Sequence, residues 1–129
     1  MIIDCHGHYT TVPPEMEAYR QSQLANLNNI AKGSVTISDD QIRDSLEGAQ
    51  LKLQRERGSD LTFFSPRASA MAHHLGSQTA NHYWAEHWND LIARVCGLYP
   101  KNFIGVGMLP QARHTDATIA RPDTGSPPW

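Results

Sequence analysis

His6 and His8 flank a single glycine in the run Asp4-Cys5-His6-Gly7-His8, near the start of a 129-residue chain. In a strand, side chains alternate across the sheet, so two imidazoles two residues apart point to one side and can share a metal ion, with Gly7 leaving room beside them. The competing reading is a pair of surface histidines. Asp4 suits a structural role, or a partner behind the imidazoles, better than ligation. A second group is Ser65 and Arg67, in Phe63-Phe64-Ser65-Pro66-Arg67-Ala68-Ser69. A guanidinium there can fork onto a carboxylate and a neighbouring hydroxyl can add a hydrogen bond, while a surface salt bridge is the plainer alternative. His73 and His74 form a second pair, so two pairs hold four of the chain's seven histidines. Adjacent side chains diverge, which favours capping or packing over joint ligation. Tyr83, Trp84 and Trp88 recur at helical spacing and read as core rather than a stacking platform.

These residues need elements to position them. Residues 2–5 form a short apolar run before a Thr-Thr-Val-Pro-Pro breaker and read as a strand ending near His8. Met16, Tyr19, Leu24, Leu27 and Ile30 fall near helical spacing, predicting a helix from Pro14 to about Ile30. Ser38-Asp39-Asp40-Gln41 matches a capping box; Ile42, Leu46, Ala49 and Leu53 then continue one helix that Gly58 should stop. Residues 60–64 are β-branched and aromatic and read as a second strand. Residues 79–98 carry a stripe of Trp84, Trp88, Leu91, Ile92, Val95 and Leu98, and read as a helix ended by Tyr99-Pro100. Residues 103–108 are apolar at every position except two glycines, as expected of a strand buried on both sides. Strands separated by helices imply right-handed crossovers and a parallel sheet, the α/β class. In that class sites gather at the carboxyl ends of strands, where His8, Ser65 and Arg67 fall.

Composition excludes several functions. Eleven Lys and Arg against 13 Asp and Glu give a formal charge of −2, without the basic stripe that a nucleic-acid backbone requires. No apolar run approaches the roughly 20 residues of a membrane span, and a basic, then apolar, leader is lacking. A cytoplasmic protein without nucleic-acid or membrane partners is expected. Cys5 and Cys96 lack metal or disulfide spacing and are expected to be small buried hydrophobes.

Longer stretches carry a resemblance. Met1-Ile2-Ile3-Asp4-Cys5-His6-Gly7-His8-Tyr9-Thr10-Thr11, Arg57-Gly58-Ser59-Asp60-Leu61-Thr62, Phe64-Ser65-Pro66-Arg67-Ala68-Ser69, Met71-Ala72-His73-His74 and Asn102-Phe103-Ile104-Gly105 with Met108-Leu109-Pro110-Gln111 resemble the 4-oxalomesaconate hydratase family. That family sits in the amidohydrolase superfamily, in the branch of aminocarboxymuconate semialdehyde decarboxylase. The His-x-His element is common to the superfamily; the Phe-Ser-Pro-Arg-Ala-Ser and Met-Ala-His-His stretches point to the hydratases. The resemblance implies a metal-dependent (β/α)₈ barrel holding Zn²⁺ or a similar divalent ion. It further implies addition of water to 4-oxalomesaconate, giving 4-carboxy-4-hydroxy-2-oxoadipate in protocatechuate or gallate degradation. His6 and His8 match the first two metal ligands, and Ser65 and Arg67 match a segment expected to bind a small oxo polycarboxylate. It covers about residues 1–111, three of eight strands, so a partial barrel domain over 1–111 is expected, with a divergent, irregular tail over 112–129. Truncation or a frameshift near residue 112 would account for that change, and the chain by itself is expected to be incomplete, inactive and weak in holding metal. No catalytic residue beyond metal-bound water is expected within it. The alternatives are a decarboxylase or hydrolase of the same superfamily, or a non-catalytic, self-associating remnant; a homo-oligomer is expected in either case.

Overall fold

A computed structural model of the chain describes residues 1–71 and 74–110. Its elements are β1 (Ile3–Tyr9), α1 (Glu15–Ala25), α2 (Asp39–Glu47), α3 (Gln50–Arg57), β2 (Leu61–Pro66), α4 (Ala68–Met71), α5 (Gln78–Leu98) and β3 (Phe103–Gly105). The strands form one sheet in the order β1-β2-β3, parallel throughout, as strands joined by helices should be. Ile3 pairs with Leu61 and His8 with Ser65, and the register shifts between Asp4 and Gly7. At this bulge Asp4 Oδ1 accepts the His6 amide at 3.0 Å, which places Asp4 in a structural role.

One face of the sheet is covered and the other is open. Tyr9, Phe64 and Phe103 are buried against the α5 stripe of Trp84, Trp88, Ile92 and Val95. Their alternating neighbours Ile3, Phe63 and Ile104 keep 47%, 37% and 42% of their surface exposed. The expectation that residues 103–108 are a strand buried on both sides is therefore corrected. β3 ends at Gly105, because Asn89 of α5 captures the next part of the chain by accepting the Met108 amide at 2.7 Å and donating to its carbonyl at 3.0 Å.

The helices follow their capping signals more closely than their apolar spacing. Ser38 and Gln41 form the predicted capping box of α2, and the Gln41 amide also donates to Glu15 of α1. The single helix expected from Ile42 through Leu53 is instead two. Gly48 ends α2, and Ala49, at φ −127° and ψ −97°, is not helical. The break turns Leu51 and Gln54 inward and leaves Leu53 exposed at 45%. Gly58, with φ +65°, stops α3 as expected, in the left-handed conformation that glycine adopts without strain.

α1 also ends early, at Ala25, where the Asn26 amide turns back to the Gln23 carbonyl at 3.2 Å and the Asn29 amide to the Asn26 carbonyl at 3.0 Å. Leu27, read as part of its apolar face, is consequently exposed. The buried face carries Arg20 in its place, 3% exposed. Its guanidinium donates to Asn81 Oδ1 at 2.9 Å and the Leu75 carbonyl at 3.0 Å, and it lies 5.2 Å from the Trp84 ring centre. Cys96 is half-buried, whereas Cys5 is exposed, contrary to expectation, as are the other first residues of β1, Ile3, Asp4 and His6.

Candidate functional site

The carboxyl ends of β1 and β2 bring His6, His8 and Ser65 together. His6 Nε2 and His8 Nε2 lie 3.1 Å apart, with the rings edge to face at 4.6 Å. Two nitrogens bound at 2.0–2.1 Å to one tetrahedral zinc ion stand about 3.3 Å apart, so the observed separation fits a shared ion. The same spacing accommodates a hydrogen bond when one Nε2 carries a proton. Among the described residues, no group of three or more His, Cys, Asp or Glu is placed to hold a metal ion. The dyad therefore fits a divalent cation as two ligands of a larger set.

The far side of His8 is pinned. Its Nδ1 lies 2.8 Å from Ser65 Oγ and 3.1 Å from the Pro66 carbonyl oxygen, while the Ser65 hydroxyl donates to the Gly7 carbonyl at 3.2 Å. Gly7 is required by this close approach of β1 and β2. A Cβ there would stand 2.2 Å from Thr62 Cγ2 and 2.9 Å from the Phe63 carbonyl. The room that glycine supplies is thus taken by β2 rather than left beside the imidazoles.

Neighbouring loops brace the dyad. Tyr9, next to His8, hydrogen-bonds Ser45 of α2 at 2.6 Å, and burial pushes its phenol pKa up. Gln50, the first residue of α3, donates to Thr10 Oγ1 at 2.7 Å. A cleft of about 300 Å³ opens between β1 and α3, lined in part by His6, His8, Gln50 and Arg57. Gln50 carries no motif, and Arg57 belongs to a stretch that carries the resemblance without a role of its own; the break at Gly48 places both here.

Arg67 follows β2 and is exposed; its carbonyl accepts the Ala70 amide at 2.9 Å, and no described residue offers its guanidinium a hydrogen bond or ion pair. The surface salt bridge that sequence reading kept open is not formed among the described residues. Ser65 differs, since its hydroxyl is turned toward Gly7 and His8. His74 is exposed, and His73 lies outside the described residues, as does the tail over 112–129. Trp84 and Trp88 are core residues as expected; Tyr83 is half-buried.

No family model matches the chain. Over 120 residues it is 51% identical to the 2-keto-4-carboxy-3-hexenedioate hydratase of Sphingobium sp. (strain SYK-6), covering 92% of this chain and 35% of that protein. The crystal structure of 4-oxalomesaconate hydratase from Rhodopseudomonas palustris matches with a TM-score of 0.80 and 45% identity, over 90% of this chain and 35% of that one. This chain is homologous to the amino-terminal part of these hydratases. 5-Carboxyvanillate decarboxylase from Sphingomonas paucimobilis matches with a TM-score of 0.53 and 18% identity, over 82% of this chain and 33% of that one, a likeness of fold alone. The chain spans about a third of the length of the hydratases it matches. Among the described residues, no helix is long and apolar enough to cross a membrane.

Proposed function

We propose that the chain supplies the first two metal ligands and a carboxylate clamp of a hydratase acting on 4-oxalomesaconate, within a (β/α)₈ barrel of the amidohydrolase type. The observation that carries this reading is the convergence of two imidazole nitrogens to 3.1 Å at the carboxyl end of β1, in a chain 51% identical to a hydratase. A divalent cation such as Zn²⁺, when bound, lowers the pKa of a coordinated water and polarises a substrate oxygen. His6 and His8 would hold it through their Nε2 atoms.

The remaining roles fall to residues around the dyad. Arg67, exposed and with no partner for its guanidinium among the described residues, would fork onto one carboxylate of the tricarboxylic oxo acid. Ser65 keeps a lone pair but has its proton on Gly7, so the charge recognition rests with Arg67. Water then adds to the double bond activated by the adjacent oxo and carboxylate groups, yielding 4-carboxy-4-hydroxy-2-oxoadipate in cytoplasmic aromatic-acid breakdown. Within such a barrel the open sheet face with Ile3, Phe63 and Ile104 would be enclosed by the remaining strands, whereas the short chain by itself would cover it by forming a homo-oligomer.

A chimera tests the reading. Residues 1–110 would replace the matched portion of the Rhodopseudomonas palustris hydratase, and consumption of 4-oxalomesaconate would be followed in the ultraviolet. Hydration that survives the exchange and is lost with His6→Ala or His8→Ala is expected. A chimera that folds, retains activity and is indifferent to both substitutions would refute it.

A further inference from the structure

The contacts behind His8 determine which of its nitrogens carries the proton. The Pro66 carbonyl oxygen, 3.1 Å from Nδ1, has no hydrogen to give, so the proton between them must sit on Nδ1. The Gly7 carbonyl makes the same demand on Ser65, whose hydroxyl must donate to it at 3.2 Å. Ser65 Oγ is then an acceptor toward Nδ1 at 2.8 Å. Every group is satisfied by one assignment: Nδ1–H shared by Ser65 Oγ and Pro66 O, and the Ser65 proton on Gly7. In the opposite assignment Ser65 donates to a bare Nδ1, the Pro66 oxygen faces a lone pair, and the Gly7 carbonyl loses its donor. Among the described residues His6 has no comparable brace: its ring hydrogen-bonds only His8.

We propose that Ser65 is a positioning residue that locks His8 in the Nδ1–H tautomer, leaving Nε2 as a bare lone pair aimed at the point where the two imidazoles meet. The lock reverses the mild preference of free histidine for the Nε2–H form. It also holds the ring plane, because Nδ1 is tied to β2 at two points while β1 carries the backbone. A ligand fixed in tautomer and direction pays less reorganisation on binding a cation. This last consequence rests on the metal reading above; the tautomer itself does not.

The test uses the full 129-residue chain and reads the tautomer directly, from the side-chain ¹⁵N shifts and long-range ¹H–¹⁵N couplings of the neutral imidazoles at alkaline pH. Wild-type His8 is expected wholly as Nδ1–H. Ser65→Thr and Ser65→Val have nearly the same shape and both suit a strand, so a difference between them isolates the hydroxyl. Ser65→Thr should retain the wild-type tautomer, whereas Ser65→Val, which removes the shorter of the two contacts and leaves only the Pro66 carbonyl at 3.1 Å to hold the proton, should convert His8 to a mixture. A wild-type His8 in the Nε2–H form, or a folded Ser65→Val with His8 still wholly Nδ1–H, overturns the proposal. Titration of the same samples with Zn²⁺ separates the two readings. An affinity about 10-fold or more weaker in Ser65→Val than in Ser65→Thr is expected. Zinc that moves neither imidazole of the wild type would refute the metal reading while leaving the tautomer result to stand or fall alone.

Discussion

Replacing Gly7 with alanine tests whether the approach of β1 to β2 is as tight as the structure shows. The added Cβ would fall 2.2 Å from Thr62 Cγ2 and 2.9 Å from the Phe63 carbonyl oxygen, against an ordinary carbon contact of about 3.5–4.0 Å. Neither neighbour yields easily. Thr62 is buried, β-branched and joined to Gln54 at 3.3 Å, and Phe63 O is backbone. Overpacking of this kind costs about 1–3 kcal/mol, and the upper end applies where two stiff neighbours must move. For a domain of this size, about 3 kcal/mol lowers the melting midpoint by roughly 10–15 °C. Thr62→Ser removes the clashing methyl and keeps the hydroxyl, so it serves as the relieving partner. In urea titrations of the wild type, both single variants and the double variant, the pair should be coupled by about 1–2 kcal/mol, the double being more stable than the sum of the singles predicts. A Gly7→Ala chain as stable as the wild type, or strictly additive effects, would show that the strands do not approach as described.

Three further outcomes follow from single contacts. Burial raises the Tyr9 phenol above its ordinary 10.0, so its stabilising contribution is complete below pH 10 and is lost as pH climbs through the raised value. Tyr9→Phe should flatten this alkaline loss relative to the wild type, at a cost of about 1 kcal/mol at neutral pH for the bond to Ser45; an unchanged alkaline slope in thermal melts counts against it. Ser38→Ala removes the hydroxyl that accepts the Gln41 amide and should destabilise the chain by about 1 kcal/mol by circular dichroism, whereas no loss would mean that the cap is idle. Arg67→Ala should leave the melt within about 0.5 kcal/mol while raising KM for 4-oxalomesaconate in the chimera, and a KM that does not move would remove Arg67 from the site.

Much of the architecture was legible because local chemistry and global fold agree. The capping box at Ser38, the left-handed stop at Gly58 and the tryptophan stripe of α5 each specify an element without help from tertiary contacts. The errors lie where tertiary contacts overrule spacing. Leu53 continues a helical period that the break at Gly48 rotates away from the core, and Asn89 pulls Met108 out of a strand that its composition favours. Arg20 is buried because Asn81, the Leu75 carbonyl and the Trp84 ring meet it there, and no local pattern announces three distant partners.

In the candidate site, alternation along β1 was enough to bring His6 and His8 together. The contact of Ser65 with His8 depends instead on the register of β1 against β2, which lies 57 residues away in sequence and is shifted by a bulge. The covered and open faces of the sheet were also illegible, since Ile104 and Val106 are as apolar as the buried Phe103 beside them.

The most direct measurement is a titration of the full chain with Zn²⁺, following the His6 and His8 ring resonances in the wild type and in a His6→Ala, His8→Ala double variant. Two imidazoles provide fewer protein ligands than the three of a catalytic zinc site, so binding should be weak, one ion per chain, and centred on both rings. A chelator should shift the melt little, because a weakly held ion stabilises little at ordinary concentrations. The double variant should lose the response altogether. Ring resonances that do not move with zinc, or binding that persists unchanged without both histidines, would contradict the assignment of His6 and His8 as the metal-holding pair.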